Sequence, residues 1–318
     1  MNIYIAYDTS CYTTSIAAVN EDGQVLASCR KMLPVDLGSR GLRQSEAVFK
    51  HIQQINEVNE ELYSVLRSYN YSIKGVGASV TPRGIEESYM PVFTVGTAFA
   101  KHIAQSYHVP FVSSNHQLGH IKAAKYLSGL QSNRFLGFHL SGGTTELLLC
   151  NNGLISIIGA TNDISLGKCL DRVGVAMGLP FPSGVYLEKL AVSSQSEGII
   201  IPSSVHKNPI RCNLSGAETF ALSKVKVISA EELALSLFKM ACNTICKMIV
   251  FGVEQTQVYE VLLFGGVASS NLLRTLIQNK MAKLNNRVKI YFGKNEFSGD
   301  NAVGVALDTW EVCTNESK

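Results

Sequence analysis

The chain has 318 residues, of which 46% are hydrophobic and 17% charged, with 26 Gly and 8 Pro. This excludes a disordered, collagenous or low-complexity protein and suits one or two domains with substantial apolar cores. With 28 Lys and Arg against 25 Asp and Glu, the net charge of +3 permits contact with nucleic acid without demanding it. No run of about eighteen apolar residues is present, and Met1-Asn2-Ile3-Tyr4-Ile5 lacks a leader's basic region and cleavage site. The expectation is a protein with no membrane contact that is not exported by that route. Eight cysteines without a CxxC pair are too sparse for a disulfide framework and point to a reducing, cytoplasmic setting.

In chain order, Ile3–Tyr7 reads as a buried strand, Asp8-Thr9-Ser10-Cys11 as a polar turn and Ser15–Val19 as a returning strand. Apolar residues from Val48 to Leu66 recur at helical spacing and predict a long amphipathic helix over 46–68. Gly75–Val80 predicts a strand, 92–105 a buried helix, and Pro110–Ser114 a short strand running into Asn115-His116. The opening grammar then recurs: strand Phe135–Leu140, turn Ser141-Gly142-Gly143-Thr144-Thr145, strand Glu146–Cys150. Two such units predict a duplicated α/β fold in which each half contributes a phosphate-facing hairpin, divided as 1–130 and 131–318, with a last helix free to pack back on the first half. Beyond it come an apolar helix over 233–253, strand Val261–Phe264, a Gly265-Gly266 turn, a helix over 272–281, strand Val288–Phe292 and a closing helix from Ala302. Strands alternating with helices mean an α/β sheet. The Gly265-Gly266 turn lacks the GxGxxG pattern, which argues against a dinucleotide fold.

Several constellations could carry chemistry. His116 and His120, four apart, face one way on a helical turn and either share a metal or are two unrelated histidines. Asp300, in a turn before a helix, is a candidate third ligand, whereas Gln117 after His116 disfavours HExxH hydrolysis. Ser141-Gly142-Gly143 offers open amides to a phosphate, or is a plain hairpin turn. Asp171 could accept from ribose hydroxyls or simply be solvated, and Gly184 lies in a loop able to cover a base or sugar. Cys242 and Cys246 share a helix face with no further ligand pair close in sequence.

Taken in order, Asp8-Thr9-Ser10-Cys11, His116-x-x-x-His120, Ser141-Gly142-Gly143-Thr144, Leu170-Asp171-Arg172, Gly178–Gly184, Ser215-Gly216, Gly265-Gly266-Val267-Ala268 and Asp300-Asn301-Ala302 span nearly the whole chain. In this the chain resembles the tRNA N6-threonylcarbamoyladenosine synthase catalytic subunit family (TsaD/Gcp, once labelled glycoprotease or peptidase M22), a branch of the actin-like, sugar-kinase-like (ASKHA) ATPase superfold. The resemblance implies a divalent metal, iron or zinc, on His116, His120 and Asp300, in a cleft between two halves. It implies threonylcarbamoyl-AMP, or an adenine nucleotide, along His139, Leu140, Ser141, Gly142 and Gly143. Asp171 and Gly184 would then lie around the nucleoside, and Ser270 or Asn271 near the base. The implied partners are tRNA, a paralogous actin-like subunit and a small ATPase. Arg30, Lys31, Arg40 and Arg43, with Lys122 and Lys125, are the basic residues read as able to meet tRNA or as a solvated face.

The chain also departs from the family pattern. Ser10-Cys11-Tyr12-Thr13-Thr14 lacks two acids, Thr81-Pro82-Arg83-Gly84 replaces a Gly-Pro-Gly turn, and Gln117-Leu118-Gly119 lacks the acid between the histidines. Thr144 replaces a histidine and Glu218 a lysine. These changes point to a divergent paralogue. Three readings follow: a tRNA threonylcarbamoyltransferase, an enzyme with the same ligands and another acceptor, or a non-catalytic regulatory partner. No nucleophile–base pair supports proteolysis.

Overall fold

A computed structural model describes residues 1–10, 12–34, 42–85 and 88–315. The chain forms two compact units, Met1–Tyr126 with Gly299–Lys318, and Leu127–Ser298. The chain passes from the first unit to the second between Tyr126 and Leu127 and returns between Ser298 and Gly299.

The first unit carries β1 (Asn2–Ser10), β2 (Thr13–Asn20), β3 (Val25–Met32), α1 (Gln44–Leu66), β4 (Ser72–Thr81), α2 (Phe93–Tyr107), β5 (Phe111–Asn115) and α3 (His116–Lys125). Its sheet has the order β3-β2-β1-β4-β5, antiparallel across the first three strands and parallel across the last three. Ile3, Ile5 and Tyr7 of β1 pack with Ile55, Val58 and Leu62 of α1 and with Val95 and Ala100 of α2. β1 and β2 are buried almost throughout, as strands covered on both faces must be.

The polar turn expected at Asp8–Ser10 is strand instead. The ladder continues through Asp8↔Ser15, Thr9↔Thr14 and Ser10↔Thr13, and the polar side chains are tolerated because they are bonded. Thr9 Oγ1 donates to the Val92 carbonyl (2.8 Å) and Ser15 Oγ to the Asp8 carbonyl (2.9 Å). Cys11, the last member of that turn, lies outside the described residues.

The second unit carries β6 (Arg134–Leu140), β7 (Thr145–Asn151), β8 (Leu154–Thr161), α4 (Leu166–Ala176), α5 (Gly184–Ser193), β9 (Ser204–His206), β10 (Ile210–Asn213), α6 (Ser215–Lys224) and α7 (Ala230–Thr256). β11 (Glu260–Phe264), the 3-10 turn η1 (Val267–Ser269), α8 (Asn271–Leu284), β12 (Lys289–Phe292) and the 3-10 turn η2 (Asn295–Phe297) follow. Its sheet runs β12-β11-β6-β7-β8-β10-β9. The first five repeat the first unit's pattern: two parallel pairings, then two antiparallel ones. The duplication inferred from the two hairpins therefore extends to strand order and direction.

Among the described residues, one helix, α7, is long and apolar enough to cross a membrane, but 72% of its most apolar window is buried in the protein. It is the central core helix of its unit, with Leu237, Phe238, Ile245 and Ile249 all at most 1% exposed.

The last helix, α9 (Val303–Asn315), belongs to the first unit, where it covers the opposite face of the sheet and packs on α3. A Cβ on Gly304 would lie 1.8 Å from the Gly119 carbonyl oxygen and 2.7 Å from the Ala123 amide nitrogen, so two helix backbones meet here with no room for a side chain. Lys122 fastens the same pair through Asp308 (2.8 Å) and Glu311 (2.6 Å). Gly304→Ala is expected to destabilise the protein by about 2–3 kcal/mol, the cost of overpacking a rigid contact, read as a lowered midpoint in urea unfolding.

Candidate functional site

α3 begins where β5 ends. The Asn115 side chain accepts from the Leu118 amide at 2.9 Å and caps the helix, so His116 is its first residue and His120 stands one turn on. Asp300 arrives from the loop before α9, held by the helix contact at Gly304. Its Oδ2 accepts from Ser10 Oγ at 3.1 Å, which leaves Oδ1 facing the histidines.

Three potential donor atoms converge. His116 Nε2 and His120 Nε2 are 3.0 Å apart, and Asp300 Oδ1 lies 3.3 Å from His120 Nε2 and 3.6 Å from His116 Nε2. Ligands bound at about 2.0–2.1 Å around a tetrahedral ion stand roughly 3.3 Å from one another, so the set fits a metal. Two imidazoles and one carboxylate suit iron and zinc alike and leave coordination positions for substrate or water.

Behind this set stands Asp8 on β1, 1% exposed. Its Oδ2 accepts from His116 Nδ1 (2.8 Å) and from Ser79 Oγ (2.6 Å). A carboxylate on Nδ1 keeps that nitrogen protonated and presents the Nε2 lone pair forward, as metal-binding histidines require.

Burial disfavours a charged His116, yet Asp8 and Asp300 outweigh it and hold the imidazole pKa well above 6.5. Burial raises the Asp300 carboxyl, but the hydrogen bonds and charge of His116 and His120 win and hold it well below 3.8. His116 therefore stabilises the metal-free fold below pH 6.5 and loses that contribution as pH rises through its elevated pKa. Asp300 contributes above pH 3.8 and loses it as pH falls. In chelator-treated protein, the difference in unfolding midpoint between the parent and Asp300→Asn is expected to be largest from about pH 4 to 6.5 and to shrink on the alkaline side. A difference that stays flat to pH 9 would contradict this charge assignment.

The second unit holds a cavity of about 340 Å³. Gly142, Asp171, Gly184 and Ser270 of the sequence-derived set line it. His139, Leu140, Ser141, Gly143 and Asn271 are not among its lining residues. Leu140 is fully buried, and His139 stacks on Phe264 at 4.9 Å. Ser141 Oγ accepts from the Thr144 amide at 3.0 Å and from the Gly143 amide at 3.3 Å and closes the Ser-Gly-Gly turn on itself, while the space beside the Gly142 and Gly143 α-carbons stays open. Gly167 lets α4 approach that turn, since a Cβ there would lie 2.5 Å from the Ser141 carbonyl oxygen.

Asp171 is not a solvated helix residue. Its Oδ1 accepts from the Ser183 amide at 2.7 Å, and burial pushes its pKa up against the pull of the Ser183 and Gly184 amides. Ser270 Oγ caps α8 by accepting from Leu273 N (3.1 Å), and Glu188 takes the neighbouring Leu272 amide at 2.7 Å. Glu188, Phe181 and Val267 are among its other lining residues. Nothing in their spacing could have identified them, because they come from different loops and helices.

Glu218, where the family pattern has a lysine, lies 3.3 Å from Arg172. Of the basic residues singled out earlier, Lys31 pairs with Glu57, Lys122 is held inside the α3–α9 contact, and Arg40 lies outside the described residues. Cys242 and Cys246 are 3.9 Å apart, sulfur to sulfur, and the seven described cysteines are free thiols.

Residues 44–307 match the family model described as tRNA N6-adenosine threonylcarbamoyltransferase (TsaD). The chain belongs to this family. It is 30% identical over 293 residues to the "Probable bifunctional tRNA threonylcarbamoyladenosine biosynthesis protein" of Methanosphaera stadtmanae, covering 92% of this chain and 52% of that protein. The chain thus spans about half the length of the bifunctional relatives it matches. It is 27% identical to the tRNA N6-adenosine threonylcarbamoyltransferase of Halalkalibacterium halodurans, covering 88% of this chain and 83% of that one. Among solved structures, HypF of T. kodakarensis superposes with a TM-score of 0.65 at 14% identity, over 99% of this chain and 48% of HypF. Component A of the Acidaminococcus fermentans (R)-2-hydroxyglutaryl-CoA dehydratase superposes at 0.57 and 12%, over 99% of this chain and 100% of that one. These likenesses establish the actin-like α/β fold.

Proposed function

We propose that the protein transfers the threonylcarbamoyl group from threonylcarbamoyl-AMP to N6 of an adenosine in tRNA, using one divalent metal, iron with zinc as the alternative, on His116, His120 and Asp300. The observation that carries this reading is the convergence of those three side chains at 3.0–3.6 Å in a member of this family. The bound metal would supply Lewis-acid polarisation of the activated carbonyl or its phosphate.

The chain's own residues do the rest by positioning. Asp8 fixes the His116 tautomer, and Ser10 turns Asp300. In the second unit, Asp171 accepts from ribose hydroxyls, Phe181 and Val267 offer apolar surface to adenine, the Ser270 hydroxyl reaches the base edge, and the Gly142 backbone, with no side chain in the way, faces phosphate. His139, Leu140 and Ser141 set the shape of that turn. Attack by the adenine amine forms the new C–N bond and breaks the C–O bond to phosphate; the electron pair leaves on AMP and the amine proton passes to phosphate or solvent. A mixed anhydride already has a good leaving group, so orientation supplies much of the acceleration. A paralogous actin-like subunit and a small ATPase are the proposed protein partners. A reducing, cytoplasmic setting fits the free cysteines.

A second reading, a paralogue with another acceptor or a regulatory role, is favoured by one feature. Glu218 neutralises Arg172 beside Asp171, where the family pattern has a cation. Nucleoside mass spectrometry separates the two, using unmodified tRNA incubated with metal-loaded protein and threonylcarbamoyl-AMP, with and without partner subunits. The expected outcome is threonylcarbamoyladenosine that falls at least a hundredfold in Asp300→Ala, in line with the loss of a metal ligand. No product beside a working family enzyme would favour the second reading.

A further inference from the structure

Between Glu260 and Glu296 the chain runs 35 residues without a carboxylate side chain and places six cations there: Arg274, Lys280, Lys283, Arg287, Lys289 and Lys294. The whole protein carries only +3, so this stretch is its most one-sided charge feature. Two of the six serve the fold. Arg274 donates to the Ala268 and Gly293 carbonyls at 2.7 Å each, and Arg287 lies over the Tyr259 ring at 4.2 Å.

Lys280 and Lys283 of α8 join Lys239 of α7 around a second cavity of about 460 Å³, completed by Asn243, Asn279 and Cys242 and by Leu276 and Leu284 of α8. Lys280 donates to Asn243 Oδ1 and Lys239 to the Glu197 carbonyl (2.5 Å), both neutral acceptors, while Lys283 is exposed at the end of α8. Among the described residues, the ion pairs of this unit are Arg172–Glu218 and Lys207–Glu254, so none of the three lysines is neutralised. Three ammonium groups around one concavity repel each other unless an anion completes it. Each has three N–H donors, and the asparagine amides add further donors. No carboxylate lines the cavity to repel an anion. Beyond it, exposed Lys289 on the edge strand β12 and exposed Lys294 continue the positive charge along the chain. Uncompensated charge of one sign that extends past the cleft's own three lysines suits a polyanion better than a single small anion.

We infer that the α7–α8 cleft is a docking site for the phosphodiester backbone of RNA. The inference rests on the tRNA reading above and assigns to this face contacts to the tRNA backbone. Contacts of this kind position without reading sequence, and each releases counterions.

The test is tRNA binding by fluorescence anisotropy across a salt series, with the full metal-loaded chain. Lys239→Gln/Lys280→Gln/Lys283→Gln is expected to lower the slope of log K against log salt by about two to three and to weaken binding about tenfold or more near 0.1 M salt. Lys283→Gln alone, at an exposed position, should lower the slope by about one even if the triple variant folds poorly. The triple Lys→Arg variant should restore the parent slope, and Lys74→Gln on the first unit should leave it unchanged. Equal slopes for the parent and Lys283→Gln, with tRNA still bound, would overturn the inference while leaving the transferase reading standing. Failure of the parent to bind tRNA would remove both. Loss of inorganic phosphate binding in the triple variant with its tRNA slope intact would make the cleft a small-anion site and equally overturn the inference.

Discussion

The contact on which the candidate metal centre depends is the approach of two helix backbones at Gly119 and Gly304. The two histidines are four residues apart, so α3 alone aligns them, but Asp300 lies 180 residues farther along the chain than His120. It is delivered by the loop entering α9, and α9 sits close enough only because Gly304 and Gly119 carry no side chain where the helices cross. Lys122, paired with Asp308 and Glu311, holds the same two helices together. One packing constraint therefore sets both the stability of the first unit and the geometry of its most chemically loaded cluster.

Electrostatics explains why the cluster is arranged as it is. A carboxylate that is 1% exposed, as Asp8 is, must be compensated, and here it is met by His116 and Ser79. The imidazole so anchored turns its other nitrogen toward His120 and Asp300. Two imidazole nitrogens 3.0 Å apart repel unless a proton or a cation lies between them. Without metal the proton serves, and with metal the ion replaces it, so metal uptake and proton release are coupled. The second unit works differently. Its cavity is built from glycine backbone, two half-buried carboxylates, Asp171 and Glu188, and apolar walls that include Phe181 and Val267.

Much of this was legible in the sequence. The recurring strand, small polar turn and strand announced the duplicated fold, because hairpin grammar is local. The HxxxH spacing marked the metal candidates, because helical periodicity is local too. What escaped depends on contacts between distant residues. β3 escapes because its edge position relaxes the hydrophobic pattern, and β8 because the part of it before its short pairing with β10 is exposed at Leu154, Ser156 and Ile157. The partnership of Asp8 with His116 spans 108 residues, and that of Lys122 with Asp308 spans 186. The second partnership turned a candidate RNA contact into a packing device. The acid-free run through α8 was visible in composition, but only the placement of Lys239 beside it on α7 gives that run a cleft.

X-ray absorption at the K edge of the bound metal tests the central claim most directly. The account predicts a shell of two imidazole nitrogens and one carboxylate oxygen, with any further scatterers from solvent or substrate, and loss of one imidazole signature in His120→Ala. A sulfur scatterer in the shell, or an unchanged two-imidazole shell in His120→Ala, would contradict it.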